Sequence, residues 1–173
     1  MASKYNLMFV PHFEDRKKIS KIRSKICKLT HSTEALQYPV HMSLLSGGFQ
    51  TKNYFGFEKE LREICKKEKP LKVHSEKLTG VLPDRFWTGI NIVKSDEVKK
   101  LQLKLQKLRN KFADKKEKHN FHQLHITFAF PAKVGGLKKF KSPVGSMIFD
   151  RITIVKKEKK FAPYRIYKHI KIS

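Results

Sequence analysis

The sequence predicts an α+β fold, in which strands and helices are mixed without regular alternation. The predicted order is strand, helix, strand, helix, strand, strand, helix, strand, strand, strand, whereas strict alternation would favour a parallel sheet. A strand-helix-strand unit in the first half recurs in the second, and each unit ends in a histidine followed two residues later by a hydroxyl residue. This recurrence indicates two related lobes within a single domain of residues 1–173.

The first half of the chain combines short strands with helices. Residues 5–10 are an apolar run followed by a proline, which predicts a strand and its end. Apolar residues three and four apart predict an amphipathic helix over 13–29. Residues 40–45 are predicted as a second strand, and a second helix is expected around 57–65, before Pro70.

The second half begins with two strands and the clearest helix of the chain. Residues 71–78 and 86–93 are predicted strands, separated by a turn at Pro83. Ser95 is a favourable N-cap residue, and the acidic residues after it suit the positive end of a helix dipole. The apolar positions that define this helix are Val98, Leu101, Leu105, Leu108 and Phe112.

The last third of the chain contains three predicted strands and one loop. Residues 124–130 form a strand, and the glycines and prolines of 131–146 indicate a loop. Residues 147–155 and 164–172 are each predicted as one strand, and the two are expected to pair as a hairpin across a lysine-rich turn.

The charge of the chain is the first indication of a partner. Lysine and arginine number 39 against 15 acidic residues, for a formal net charge of +24. A positive field of this strength attracts polyanions, and nucleic acid is the favoured one because phosphate neutralisation dominates its binding. An anionic membrane surface is less favoured, since no predicted helix pairs a broad aromatic face with the basic one.

The remaining composition bounds the environment of the protein. Cys27 and Cys65 lie among apolar helical positions and are predicted to be buried free thiols, since two cysteines make neither a disulfide framework nor a zinc site. The N-terminus shows no signal-peptide pattern, and no apolar stretch approaches the roughly 20 residues that span a bilayer. We therefore expect a soluble cytoplasmic protein that does not act at a membrane.

Two histidine motifs carry the candidate chemistry. His41 and Ser43 are two residues apart on one predicted strand, and His125 and Thr127 are two residues apart on another. Because strand side chains alternate between faces, each strand presents an imidazole beside a hydroxyl and turns apolar residues toward the core. A third match, at His31, lies at a predicted helix end without apolar flanks and is set aside.

The two motifs suit phosphodiester hydrolysis. Opening a cyclic phosphate with water needs one group to take a proton and another to give one, and histidine does either near neutral pH. The hydroxyls can donate to the phosphoryl oxygens, and no metal or other cofactor is required. The alternative is that both histidines are ordinary sheet residues, and spacing alone does not separate the two interpretations. No histidine, cysteine or carboxylate pattern in the sequence predicts a metal site.

At these residues the chain resembles the 2H phosphoesterase superfamily, which is named for two His-x-Thr/Ser motifs. It is most similar to the RNA 2',3'-cyclic phosphodiesterases, long called 2'-5' RNA ligases. Besides the motifs, residues 85–90 resemble the family strand of Arg, apolar, Trp, apolar, Gly, apolar, and residues 164–167 resemble its last strand. The resemblance implies a bilobal fold with two pseudo-symmetric lobes around a cleft into which both histidines point.

The resemblance also implies roles for individual residues. His41 would be the acid for the leaving O3' and His125 the base for water, so that the product carries a 2'-phosphate. Ser43 and Thr127 would bind phosphoryl oxygens. Where many relatives have an arginine shortly after the second motif, this chain has Phe130. A phosphate contact is then missing or comes from elsewhere.

Three further residues are candidates for substrate contacts. Arg85 could supply the missing phosphate contact, although an ordinary surface arginine is an equally good interpretation. Tyr38 and Phe49 flank the first motif and could stack on a nucleobase, while Phe49 could equally be packing.

The leading hypothesis is an RNA 2',3'-cyclic phosphodiesterase that acts as a monomer, because both histidines come from one chain. Its partner would be RNA with a cyclic phosphate end, with tRNA fragments and 2'-5' linked oligonucleotides as candidates. Two alternatives stay open: a 2',5'-oligonucleotide phosphodiesterase of the oligoadenylate type, and a non-catalytic module that binds RNA ends.

Overall fold

A computed structural model describes most of the chain, namely residues 3–45, 47–81, 87–116, 124–130, 142–159 and 162–173. Within these residues it contains three α-helices, one short 3-10 helix and eight strands. In chain order they are β1 (Lys4–Phe9), α1 (Phe13–Leu29), the 3-10 helix (Glu34–Gln37), β2 (Met42–Ser43), α2 (Tyr54–Lys66), β3 (Leu71–Val81), β4 (Trp87–Ile92), α3 (Asp96–Phe112), β5 (His125–Ala129), β6 (Ser146–Phe149), β7 (Arg151–Lys157) and β8 (Arg165–Lys171).

The described strands form one curled antiparallel sheet in the order β6-β3-β4-β5-β2-β1-β7-β8. The two strands that carry or adjoin the histidine motifs, β2 and β5, are neighbours at its centre. Four strands lie on the β5 side and four on the β2 side, so the sheet has the two-sided arrangement expected of two related lobes. The predicted α+β class is confirmed.

The helices begin and end close to where their sequence patterns predict. Helix α1 spans the predicted residues and buries Ile19, Ile26 and Cys27. Helix α3 begins after Ser95, whose side chain accepts a hydrogen bond from the amide of Val98 at 3.4 Å. Both cysteines are buried free thiols, as predicted. No helix in the described part of the chain is long and apolar enough to cross a membrane.

The prediction of a single strand over 147–155 is wrong. The segment is divided at Asp150 into β6, which pairs with β3 at one edge of the sheet, and β7, which pairs with β1 and β8 near the other. The Asp150 carboxylate accepts hydrogen bonds from Arg151 and lies 3.1 Å from His12, so a polar residue with its own side-chain partners separates the two strands. The predicted hairpin of the last two strands is confirmed as β7 and β8.

The segment before the first motif also differs from its prediction. The strand expected over 40–45 is reduced to the two residues of β2, and a 3-10 helix that the sequence pattern did not predict precedes it. Met42 pairs with both Phe9 of β1 and Ile126 of β5, so this short strand joins the two sides of the sheet.

Candidate active site

The two motifs meet where β2 and β5 pair. The antiparallel register places Met42 opposite Ile126, which puts His41 opposite Thr127 and Ser43 opposite His125. All four motif side chains are half-buried, whereas the alternating residues Met42, Ile126 and Phe128 are fully buried. The alternation of strand faces therefore gathers two imidazoles and two hydroxyls on one surface of the sheet.

This surface forms the wall of a cavity of about 410 Å³, which lies in the range of roughly 300–1,000 Å³ typical of small-molecule sites. Its lining includes all four motif residues together with Arg23, from the middle of α1. The other lining residues are Asn6, Met8, Glu34, Ala35, Tyr38, Pro39, Leu45, Gly47, Phe130 and Tyr164. The cavity thus has two histidines, hydroxyl donors and a buried cation on its walls, with apolar and aromatic groups around them.

The backbone orients the ring of His41. Its Nδ1 lies 2.7 Å from the carbonyl oxygen of Pro39, and only a protonated Nδ1 can donate to that oxygen. The other ring nitrogen, Nε2, is therefore the one left to exchange a proton with a ligand. Burial lowers the pKa of His41, the Pro39 hydrogen bond opposes this, and the positive charge of Arg23 and the neighbouring His125 lower the pKa further.

The charge of Arg23 should be measurable through His41. We expect the pKa of His41, followed by NMR titration of the ring proton and assigned with His41→Gln, to lie below the ordinary value of about 6.5. Arg23→Met should raise this pKa because it removes a neighbouring positive charge. Lys18→Ala, which removes an exposed charge from the same helix, is the control and should leave it unchanged. A His41 pKa that did not respond to Arg23→Met would contradict the arrangement.

Arg23 is the site residue that the sequence interpretation missed. Its side chain is 5% exposed, and its Nη2 donates to the carbonyl oxygen of Tyr38 at 2.9 Å. Its buried Nε has no hydrogen-bond partner among the described residues. A signal was present in the sequence, because Arg23 falls between Ile19 and Ile26 on the apolar face of α1, where a charged residue is unusual.

The three residues predicted to contact the substrate differ in where the structure places them. Tyr38 is half-buried and lines the cavity. The prediction that Phe49 stacks on a base is wrong: its ring is 3% exposed and packs edge-on against Phe57, with centroids 4.9 Å apart. Its backbone pairs with Tyr5, which holds it in the core. Arg85 lies outside the described residues.

Tyr164 is a second lining residue whose place in the site no motif indicated. It lies directly before β8, and its side chain contributes to the wall of the cavity. Burial, assisted by the neighbouring Tyr38, raises the pKa of its phenol to about 12. The group is therefore a neutral hydrogen-bond donor and an aromatic surface at any ordinary pH.

Gly89 of β4 lies in the segment between the two motifs that resembles the family strand, and the structure shows why a glycine stands there. It pairs with Thr127 across β4 and β5, and a Cβ at this position would collide with the carbonyl oxygen of Ile126 and lie 3.2 Å from the Cα of Thr127. Only a residue without a side chain lets β4 approach the second motif this closely.

A substitution tests this close approach. We expect Gly89→Ala to lower the free energy of unfolding by about 1–3 kcal/mol, because backbone and not a flexible side chain must move. Gly145→Ala is the matched control, since a Cβ there meets nothing within 4 Å, and its effect should stay within about 0.5 kcal/mol. Urea unfolding of the two variants measures the difference. Equal stability of both variants would show that β4 and β5 are not this close.

Comparison with known proteins places the fold. No protein-family model matches the chain, and no curated protein matches it. A phosphoesterase of known structure superposes with a TM-score of 0.70 at 13% identity, covering 100% of this chain and 99% of its own. LigT of E. coli in complex with 3'-AMP gives 0.70 at 14% identity, with coverage of 100% and 99%. TT0787 of Thermus thermophilus gives 0.71 at 12% identity, with 98% and 97%.

The chain therefore has, over its whole length, the α+β fold of these solved structures, which is consistent with the fold that the resemblance to the 2H phosphoesterases implied. LigT of E. coli is among its structural neighbours in complexes with 3'-AMP, NADP+ and phosphate. This confirms the fold that the two motifs predicted from the sequence. At 10–14% identity the likeness shows the fold alone.

Proposed function

We propose that this chain hydrolyses 2',3'-cyclic phosphate ends of RNA to 2'-phosphates, with His41 and His125 as the acid-base pair. The observation that carries the proposal is the register of β2 and β5, which gathers both histidines and both hydroxyls in one cavity. A binding site alone does not require an acid-base pair. The fold shared with LigT supports the same class of chemistry.

The proposed reaction is a single displacement at phosphorus. His125 takes a proton from water, the water oxygen forms a bond to phosphorus, and the bond from phosphorus to O3' breaks. His41 gives the proton on its Nε2 to the leaving O3'. The products are a 2'-phosphate and a free 3'-hydroxyl, and the two histidines return to their starting states by exchanging protons with solvent.

The lowered pKa of His41 fits this division of work. In the free protein its pKa is lowered mainly by burial, with Arg23 and His125 contributing. A bound phosphodiester brings a negative charge into the same cavity, and a nearby negative charge favours the imidazolium. Substrate binding therefore favours protonation of His41 when an acid is needed, and the lowered intrinsic pKa makes the imidazolium a stronger acid.

Two kinds of donor are available for the charge that builds on the phosphoryl oxygens. Ser43 and Thr127 lie on the same surface as the histidines, and Arg23 provides a fixed positive charge. Donors already in place in a partly buried site stabilise a transition state more than mobile water does. Among the described residues, no group of three or more histidines, cysteines and carboxylates could hold a metal ion. The steps above use only protein groups.

The substrate is proposed to be RNA because of the charge of the chain and the aromatic walls of the cavity. The net charge of +24 favours a polyanion. Tyr38, Phe130 and Tyr164 line the cavity beside the histidines and offer surfaces for a base.

The test is to incubate the purified protein, with EDTA present, with a short RNA that ends in a 2',3'-cyclic phosphate. The product is identified by mass and by enzymes that distinguish 2'- from 3'-phosphates. We expect a 2'-phosphate. A 3'-phosphate would mean that the bond from phosphorus to O2' breaks, so that O2' and not O3' is the leaving oxygen. If the protein bound the RNA tightly but converted neither the cyclic phosphate end nor 2'-5' linked oligonucleotides, it would be a binding module and not an enzyme.

A further inference from the structure

A second depression lies along α1, next to the cavity that His41 and His125 line. Its volume is about 370 Å³, and it is formed by one face of α1 and the segment around the 3-10 helix. Three of its lining residues, Arg23, Tyr38 and Pro39, also line the catalytic cavity. The two depressions are therefore adjacent, so one strand could occupy both.

The lining of this depression, which we call the α1 groove, is cationic. It contains Arg16, Lys17 and Arg23 and no carboxylate among the described residues. Arg16, Ser20 and Arg23 follow one another four and three residues apart, so they lie along one face of the helix. Arg23, at the shared wall, is buried and its Nε has no partner among the described residues, so a buried cation lies between the two depressions.

The rim of the groove offers a surface for a base. The ring of Phe13 is 62% exposed, and the guanidinium of Arg16 lies over it at 5.8 Å from the centroid. Leu36, which also lines the groove, is 48% exposed. Aromatic rings and guanidinium planes in a positively charged groove are the means by which proteins hold single-stranded RNA.

We propose that the α1 groove binds the RNA strand on the 5' side of the terminal nucleotide. Arg16 and Lys17 contact the preceding phosphate, and the Phe13 ring carries the preceding base. The preferred substrate is then an oligonucleotide and not a cyclic mononucleotide. This inference rests on the proposed function for what occupies the catalytic cavity, and it adds a site that the histidine chemistry does not need.

The experiment measures binding and not turnover, so that it does not depend on catalysis. The probes are a trinucleotide that ends in a 2'-phosphate and the mononucleotide 2'-phosphate, each titrated at several salt concentrations. The variant is Arg16→Ala with Lys17→Ala. Its matched control is Lys18→Ala with Lys21→Ala, which removes the same charge from exposed positions of the same helix outside the groove. Alanine keeps the helix propensity high in both.

The groove variant should bind the trinucleotide about 10-fold more weakly. The slope of log affinity against log salt should fall by about 1 for each phosphate that the variant no longer neutralises. Its affinity for the mononucleotide should be unchanged, and the control pair should bind both probes like the wild-type protein at matched salt to within about 3-fold.

Three results would overturn the inference. One is equal binding of trinucleotide and mononucleotide by the wild-type protein. Another is an equal decrease of trinucleotide affinity in the groove variant and the control pair, which would mean that the overall positive charge binds the RNA and that the α1 groove has no special role. A third is unchanged trinucleotide binding by the groove variant, which would mean that Arg16 and Lys17 do not contact the strand. Turnover of a cyclic mononucleotide, measured separately, reports on the histidines, so a failure of the proposed function is recognised independently.

Discussion

His41→Ala and His125→Ala are each expected to lower kcat by about 10²–10⁴-fold, because general acid or base catalysis contributes that much. The two effects should not add in the double variant, since a proton given and a proton taken belong to one displacement. The assay is conversion of a 2',3'-cyclic phosphate end under single-turnover conditions, with unfolding followed in parallel. Both side chains are half-buried in the wall of the cavity, so the fold should persist in each variant.

His31 provides the matched control for this pair. It belongs to a third match to the histidine motif, and it is exposed and outside the cavity. Its backbone is left-handed, with φ at 52°, so His31→Asn is used because asparagine tolerates that conformation better than alanine. Turnover by His31→Asn should equal that of the wild type. Normal turnover in either His41→Ala or His125→Ala would refute the two-histidine mechanism.

Arg23→Met is expected to lower kcat/KM by about 10²-fold, comparable with the removal of one donor that stabilises transition-state charge. The guanidinium is buried beside the histidines, where its charge is poorly screened and a bound phosphate would be its natural partner. Arg23→Lys should recover part of the activity, since it keeps the charge without the planar fork. Steady-state kinetics on one cyclic phosphate substrate compares the three proteins.

A structural effect of the substitution has to be separated from a catalytic one. Arg23 also donates to the partly buried Tyr38 carbonyl, and leaving a fully buried acceptor unpaired would cost about 1–3 kcal/mol of stability, which is the upper bound here. Arg109 of α3 is 1% exposed and does not line the cavity, so Arg109→Met removes another buried guanidinium. If Arg109→Met were destabilised to the same extent and lost the same activity, Arg23 would be a structural residue and nothing more.

Local patterns in the sequence predict the helices well. The apolar spacing of α1 places it over the residues that form it, and Ser95 caps α3 as its side chain and the acidic residues after it indicate. These features depend on neighbours one to four residues away. The pleat of β5 is equally local: His125 and Thr127 share one face because side chains alternate along any strand.

Strand ends and partners were predicted less well, because they depend on residues far along the chain. The apolar residues on both sides of Asp150 look like one strand, yet β6 and β7 lie in different parts of the sheet. The apolar run around the first motif looks like a full strand, yet the strand itself contains only Met42 and Ser43. A run of apolar residues indicates that a segment is buried, but it does not indicate which strand the segment pairs with.

The candidate site shows the same division between local and distant information. The two His-x-hydroxyl motifs and the positive charge can be read from the amino-acid sequence, since residue types and a period of two are properties of neighbouring positions. The packing of the whole chain was needed to bring His41 opposite Thr127, Phe49 into the core and Arg23 of α1 to the cavity. Those placements depend on strand register and on helix-to-sheet packing, which bring distant residues together. The hydrogen bond from the Cys27 thiol to the Phe128 carbonyl, for example, joins positions 101 residues apart.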